Sequence, residues 1–250
     1  MLRPPVPNIR ISLLESCDTL QLLGMFGAYL VPGSRRAEYS QLPDVWGTLF
    51  SRLYLSPVEL VEEMQAGENR LGEESERMLR GFIKADCAAG GAFVLNVITR
   101  GGMIDRSALI MIADPADLGG TEHDGTTALH LLMAACDRRV RHVLIAKAGH
   151  QLLSGVYDRN GIPLLLAIFG LGDLCTDDLD AIAGVFTKDE LRKIMCRNGR
   201  GRNALEVFTD ASVMLEGKAG RDRNTFTTAR AVRDAELKPA RQDDPGGEAG

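Results

Sequence analysis

This chain has 250 residues, a formal net charge of −5 and 45% hydrophobic residues, so it is long enough to bury the core of one large domain or two small ones. An acidic chain lacks the excess of Lys and Arg that neutralises phosphate, so we do not expect a nucleic acid partner. The five cysteines are widely spaced and form no CxxC pair. This argues against a structural zinc site or a disulfide framework and favours reduced thiols in a cytoplasmic protein.

The N-terminal part of the chain is predicted to be a series of helices. Residues 11–30 form the first candidate, and its apolar stretch Leu20–Val31 is shorter than the roughly 20 residues that a membrane helix needs, so we expect no membrane anchor. In this helix, Gly24 and Gly27 are expected at points of close packing. Residues 33–43 are predicted to be a loop, and apolar positions at helical spacing predict further helices over 42–55 and 73–87.

The segment Ser56-Pro57-Val58-Glu59 carries the pattern of a helix start. Ser56 stands at the N-cap, where its hydroxyl can accept a backbone N–H. Glu59 stands at the third helical position, from which its side chain can reach back to the cap residue. The first 89 residues contain no histidine, and their only thiols are Cys17 and Cys87, so we find no catalytic constellation in this region.

Residues 90–216 contain a recurring phrase in which a tight turn precedes a short apolar helix. The dipeptides Asp124-Gly125, Asn160-Gly161 and Asn198-Gly199 favour tight turns, because Gly tolerates positive φ and the short polar side chain bonds to nearby backbone. The phrases that follow these turns are Gly125-Thr126-Thr127-Ala128-Leu129-His130, Gly161-Ile162-Pro163-Leu164 and Asn203-Ala204-Leu205, with a fainter copy at residues 90–98.

The first of these phrases resembles the G-x-T-P-L-H opening of the ankyrin repeat, with Ala128 in place of Pro. Aligning Thr127, Ile162 and Asn203 gives spacings of 35 and 41 residues, whereas ankyrin repeats recur about every 33 residues. In this alignment the second copy lacks one residue between Gly161 and Pro163. A helix predicted to open at the capping box Thr187-Lys-Asp-Glu190 is expected to account for the longer second interval.

The resemblance implies an all-α fold, a short solenoid of ankyrin-like helix-turn-helix repeats with an N-terminal helical region. One helix pair cannot bury its own apolar face, so at least three copies are expected to stack. We expect residues 1–89 to be a helical region packing on the stack, residues 90–216 to be the repeats, and residues 217–250 to be a disordered tail, since the tail has almost no apolar periodicity. An irregular helical domain without a true repeat is the alternative fold.

The four histidines are candidate functional residues. The resemblance implies a structural role for His130, which in the family bonds to neighbouring backbone and ties adjacent loops together. The gaps between His123, His130, His142 and His150 match no zinc-binding pattern, so we expect no metal. Phosphate-loop motifs are absent as well, and no cofactor is predicted.

The function predicted from these features is a non-enzymatic protein–protein interaction module whose partner is another protein. The turns would line up along one edge that grades from acidic to basic, so the partner would place an acidic group near the basic end. An enzyme or effector with its activity in the N-terminal half, with the repeats selecting the substrate, is the alternative. Binding of an anion or a nucleic acid at the basic turn of residues 197–202 is a third possibility. The candidate binding residues are Asp124, Arg159, Asn160, Arg197, Asn198, Arg200 and Arg202.

Overall fold

A computed structural model describes residues 16–30, 41–66, 70–196 and 201–219, and it is mostly helical. The predicted all-α class is therefore confirmed, and the only strands among the described residues form one two-stranded ribbon. The chain divides into two compact units, Met1–Leu144 and Ile145–Gly250. This division lies inside a helix and does not coincide with the boundary expected between residues 89 and 90.

The first unit contains eight helices and the beginning of a ninth within its described residues. They are α1 (Thr19–Tyr29), α2 (Leu42–Leu53), α3 (Pro57–Gln65), α4 (Glu73–Ala88), α5 (Ala92–Arg100), α6 (Met103–Ile112), α7 (Pro115–Gly120), the strands β1 (Glu122–His123) and β2 (Thr126–Thr127), α8 (Ala128–Ala135) and the start of α9 (Arg141–Gly155). The second unit contains the rest of α9, then α10 (Leu164–Phe169), α11 (Thr176–Val185), α12 (Lys188–Lys193) and α13 (Ala204–Ala219). At Gly149 the backbone of α9 is not helical, with φ 63° and ψ −177°.

An aromatic cluster forms the core of the first unit. The rings of Phe26, Trp46, Phe82 and Phe93 meet edge to face, with centroid separations from 4.7 Å for Phe82–Phe93 to 6.1 Å for Phe26–Phe93. The indole N–H of Trp46 donates to the carbonyl of Asp105 over 3.0 Å, which satisfies its buried donor. This cluster joins the first two helices, α1 and α2, to α4 and α5, which follow about 30 residues or more later in the sequence.

Two predicted helix starts are present, and one of them differs in detail. At Thr187, the hydroxyl accepts from the amide of Glu190 (3.3 Å) and the carboxylate of Glu190 accepts from the amide of Thr187 (2.8 Å), so that capping box is confirmed. The Ser56 hydroxyl also accepts from the amide of Glu59, over 3.1 Å. The Glu59 carboxylate, however, accepts from the amide of Leu55 (2.6 Å) and not from that of the cap residue, and its other oxygen accepts from Arg70 (3.0 Å).

The two glycines of α1, the start of the predicted tail and the membrane test can each be read from the described helices. A side chain at Gly27 would meet Met78 Sδ at 3.4 Å, but Gly24 faces open space, so only one of the two glycines is a close-packing point. Helix α13 extends to Ala219, so the first three residues of the predicted tail are helical, and residues 220–250 lie outside the described part of the chain. No single described helix is long and apolar enough to cross a membrane; α4 and α5 pass that test only together, with a bend of 103° between them.

Candidate functional site

The first turn is a two-residue hairpin with a fixed backbone. Glu122 pairs with Thr127 and His123 with Thr126, so Asp124 and Gly125 form the tip. Their φ values are 52° and 74°, and a type I′ hairpin turn requires such positive values at both central positions. The side chains of His123 and Asp124 are 59% and 82% exposed and lie 3.6 Å apart. The predicted binding residue Asp124 therefore stands at an exposed tip.

His130 lies at the base of this hairpin and not at its tip. Its side chain is buried, with 7% of the residue exposed. Thr127 caps α8, and its hydroxyl accepts from the amide of His130 (3.3 Å) and is hydrogen-bonded to Nδ1 of the same residue (2.9 Å). The imidazole therefore holds the residue that ends the hairpin and begins the helix.

We expect His130→Ala to lower the free energy of unfolding of the first unit by about 1 to 3 kcal/mol, because the hydroxyl of Thr127 would lose a buried partner. Urea unfolding followed by the fluorescence of the single Trp46 measures this. His123→Ala, at the exposed tip, is the matched control and should change stability little. An unchanged urea midpoint for His130→Ala would contradict the structural role.

The second turn shares the form of the first but has a longer tip. Asp158 accepts from the amides of Asn160 (2.9 Å) and Ile162 (2.8 Å), and Gly161 has φ 74°. The candidates Arg159 and Asn160 are both exposed here. The carboxylate of Asp158 is bonded to the loop backbone and half-buried, so Arg159 is the exposed charged side chain of this turn.

The alignment of the second turn with the first requires a correction. The N-cap of α10 is Pro163, whereas the sequence alignment placed Ile162 opposite Thr127, the N-cap of α8. Thr127 and Pro163 are 36 residues apart, and each lies two residues after a glycine with positive φ. No residue is missing from the second copy. The error arose because the proline was matched to the proline of the ankyrin pattern, although this one occupies the cap.

The third turn is only partly described. Arg197, Asn198 and Arg200 lie outside the described residues. Arg202 is exposed, but it donates to the carboxylate of Asp210 (2.5 Å) and to the carbonyl of Glu206 (2.8 Å). The hydrogen bond from Arg202 lowers the pKa of Asp210, and the same contact raises the pKa of Arg202. Thus Arg202 binds α13 of its own chain, an interaction that the sequence analysis did not foresee.

One backbone hydrogen bond recurs at all three turns. The amide of the first residue of the following helix donates to the carbonyl of the residue that begins the turn. The distances are 2.7 Å for Ala128 to Thr121, 2.9 Å for Leu164 to Val156 and 2.9 Å for Ala204 to Ile194. Sequence reasoning missed this feature because a bond between two main-chain groups leaves no characteristic residue.

A short helical segment precedes each turn, which corrects the explanation of the longer second interval. These segments are α7, residues 150–155 of α9 after the break at Gly149, and α12. Helix α12 is therefore not an extra element, and the longer interval has another origin. The N-caps Pro163 and Asn203 are 40 residues apart, four more than Thr127 and Pro163. Two of these four residues lie in the turn, since Ile194 and Asn203 are nine residues apart and Val156 and Pro163 seven, and the other two lie before the turn.

Two half-buried cysteines in the described residues are poorly reactive. Burial raises the pKa of the Cys87 and Cys175 thiols to about 11 in each case. Both thiols are protonated at neutral pH and are therefore weak nucleophiles. No group of three or more His, Cys, Asp or Glu side chains in the described ranges is arranged to hold a metal ion.

A charged cluster around Arg70 lies in the N-terminal part, where the alternative function would place an activity. Arg70 donates to the carbonyl of Leu53 and to the carboxylates of Glu59 and Glu63, and its guanidinium lies 5.3 Å from the centre of the Tyr54 ring. The amide of Leu55 is the main cause of the lowered pKa of Glu59. These contacts fasten the chain after α3 to α3 itself and to the end of α2, so they stabilise the local fold.

Comparisons with known proteins complete the description. No protein-family model matches this chain. No curated protein and no solved structure matches it significantly. The comparisons therefore name no family, and the resemblance to ankyrin repeats stays a prediction from the sequence.

Proposed function

We propose that this protein is a non-enzymatic protein–protein interaction module, a short solenoid of ankyrin-like repeats whose exposed turns contact another protein. The hairpin of residues 122–127 is the observation that carries the proposal. Its tip is exposed and has a constrained backbone, while its base is held by the buried contact between Thr127 and His130. Binding residues are commonly found on such loops, positioned by a rigid scaffold.

The recurrence of this geometry supports the repeat character. Three turns close with the same backbone bond, and each has a glycine with positive φ two residues before the N-cap position: Gly125, Gly161 and Gly201. The cap residues differ, being Thr127, Pro163 and Asn203, so the shared feature is conformation more than sequence. A solenoid is built from such units, each of which contacts its neighbours.

The charges on the turns indicate what the partner would recognise. Asp124 presents a carboxylate at the first tip, and Arg159 presents a guanidinium at the second. Exposed charges of this kind steer the encounter and set specificity more than they add affinity. We therefore expect the turns to affect the association rate constant, kon, and its salt dependence.

The test first identifies a partner by chemical crosslinking to this chain in cells. The association and dissociation rate constants are then measured with the purified partner. We expect Arg159→Glu to change kon by about 2- to 10-fold at low salt, and the difference should shrink as salt screens the charge. Asp124→Asn removes the first charge while tolerating the positive φ. Arg77→Glu, an exposed position on α4, is the matched control.

Arg202 is a poor choice for charge reversal, because its replacement would also break the contact with Asp210. Arg197→Glu with Arg200→Glu probes the third turn and keeps Arg202 itself unchanged. If the turn variants bind the partner with the same kon and Kd as Arg77→Glu at every salt concentration, and circular dichroism shows them folded, the turns are not the binding surface.

A further inference from the structure

We propose that helices α1–α4 are the N-terminal cap of the helical array that begins at α5. The carboxylate of Asp86 holds the start of α5, as the turns hold the starts of the later helices. Residues 16–88 are then an integral part of the module and not a separate functional domain. The proposal rests on the repeat character put forward above, but its test requires no binding partner.

The spacing of the helix starts locates the beginning of the array. Gly91 is the N-cap of α5, and it precedes Thr127, the N-cap of α8, by 36 residues. The same number of residues separates Thr127 from Pro163. Helix α5 thus begins where the period predicts a turn, yet the chain before it is α4, which ends at Ala88.

Asp86 takes the place of the turn at this position. Its carboxylate oxygens accept from the amides of Phe93 (3.2 Å) and Val94 (3.0 Å), and its carbonyl accepts from the amide of Gly91 (2.8 Å). The residue is only 3% exposed. A buried carboxylate at a helix N-terminus is favoured by the unpaired amides and by the helix dipole. One residue of α4 therefore holds the start of α5 through both its side chain and its backbone.

The N-terminal helices also cover the apolar surface that an uncapped first repeat would expose. Phe93 of α5 meets the rings of Phe26, Trp46 and Phe82, which come from α1, α2 and α4. Helix α6 is covered too, since it packs against α2 and α3. Terminal repeats of a solenoid need such cover because no neighbour buries their outer face. The start of the array is therefore closed, and a partner must bind elsewhere.

A cap and an independent domain differ in how they unfold. A cap shares its core with α5 and α6, so α1–α4 and α5–α8 should lose structure together. Hydrogen exchange of the full chain over a urea series, read by mass spectrometry, should give the same midpoint for peptides from both groups. The fluorescence of Trp46 should change at that midpoint as well. If peptides of α1–α4 lose protection at clearly lower urea while α5 stays protected, the proposal fails.

Variants of Asp86 test the link directly. Asp86→Ala removes both carboxylate acceptors, and Asp86→Asn keeps one. Both variants should speed hydrogen exchange at the amides of Phe93 and Val94 and lower the urea midpoint of α1–α4. The effects of Asp86→Ala should be the larger. The matched control is Asp114→Ala, an exposed N-cap that accepts from Ala116 over 2.9 Å; its effect should stay near α7. If Asp86→Ala does not fold, Asp86→Asn still decides. Faster exchange in α5 with an unchanged midpoint for α1–α4 would overturn the proposal.

Discussion

Phe82→Ala should lower the free energy of unfolding of the first unit by about 3 to 5 kcal/mol, the usual loss when a buried phenylalanine is truncated to alanine. Phe82 is fully buried, and its ring centroid lies 5.0 Å from that of Phe26 and 4.7 Å from that of Phe93. Its removal would leave a cavity at the junction of three helices. Because the chain has one tryptophan, Trp46, and that residue lies in the same cluster, urea unfolding followed by its fluorescence reports on this core.

Two further variants separate the aromatic contribution from general effects. Phe82→Leu keeps most of the volume and should cost less than Phe82→Ala. Leu55→Ala removes a large apolar side chain that is 90% exposed, so its effect should be small. A loss for Phe82→Ala no greater than that for Leu55→Ala would show that the aromatic cluster does not hold the first unit together.

Gly91→Ala should cost about 2 to 4 kcal/mol, for two separate reasons. At φ 69° an alanine carries a backbone penalty of about 1 to 2 kcal/mol. A Cβ atom at this position would also lie 2.3 Å from Cγ2 of Thr121, an overlap that forces the neighbouring structure to move. The measurement is again the urea midpoint reported by Trp46.

A double-mutant cycle separates these two causes. Thr121→Ser removes Cγ2 but keeps the hydroxyl that donates to the carbonyl of Asp117 over 2.9 Å. Gly91→Ala combined with Thr121→Ser should therefore be more stable than the sum of the single losses predicts. Gly24→Ala, in α1 and in open space, serves as the control and should stabilise by up to about 1 kcal/mol. Strictly additive losses would contradict the predicted overlap.

Part of the candidate site could be predicted from sequence. The exposed tip at Asp124 and Gly125 and the helix that follows Thr127 are governed by residues close to one another in the chain, and both are present. The surroundings of Arg202 could not be predicted in the same way. Its contact with Asp210, eight residues later, forms only because α13 begins at Ala204 and turns that carboxylate towards Arg202.

The second turn shows how a motif can mislead. Matching Pro163 to the proline of a family pattern displaced the alignment by one residue. The backbone instead places this proline at the N-cap, two residues after Gly161. A proline has a fixed φ and suits either position, so the residue type alone does not choose between them. The hydrogen bond from the amide of Leu164 to the carbonyl of Val156, which closes the turn, places Pro163 at the cap.

The sequence by itself determined the helical class, the capping box at Thr187 and the tight turn at Asp124, because each depends on residues within about four positions, whose interactions form in any compact state. Only the tertiary structure decided that Asp86 caps α5 and that the rings of Trp46 and Phe93 meet. Those contacts join elements that the chain brings together only on folding. Neither the period of apolar residues nor the identity of a cap residue specifies which residue of another helix will supply the partner.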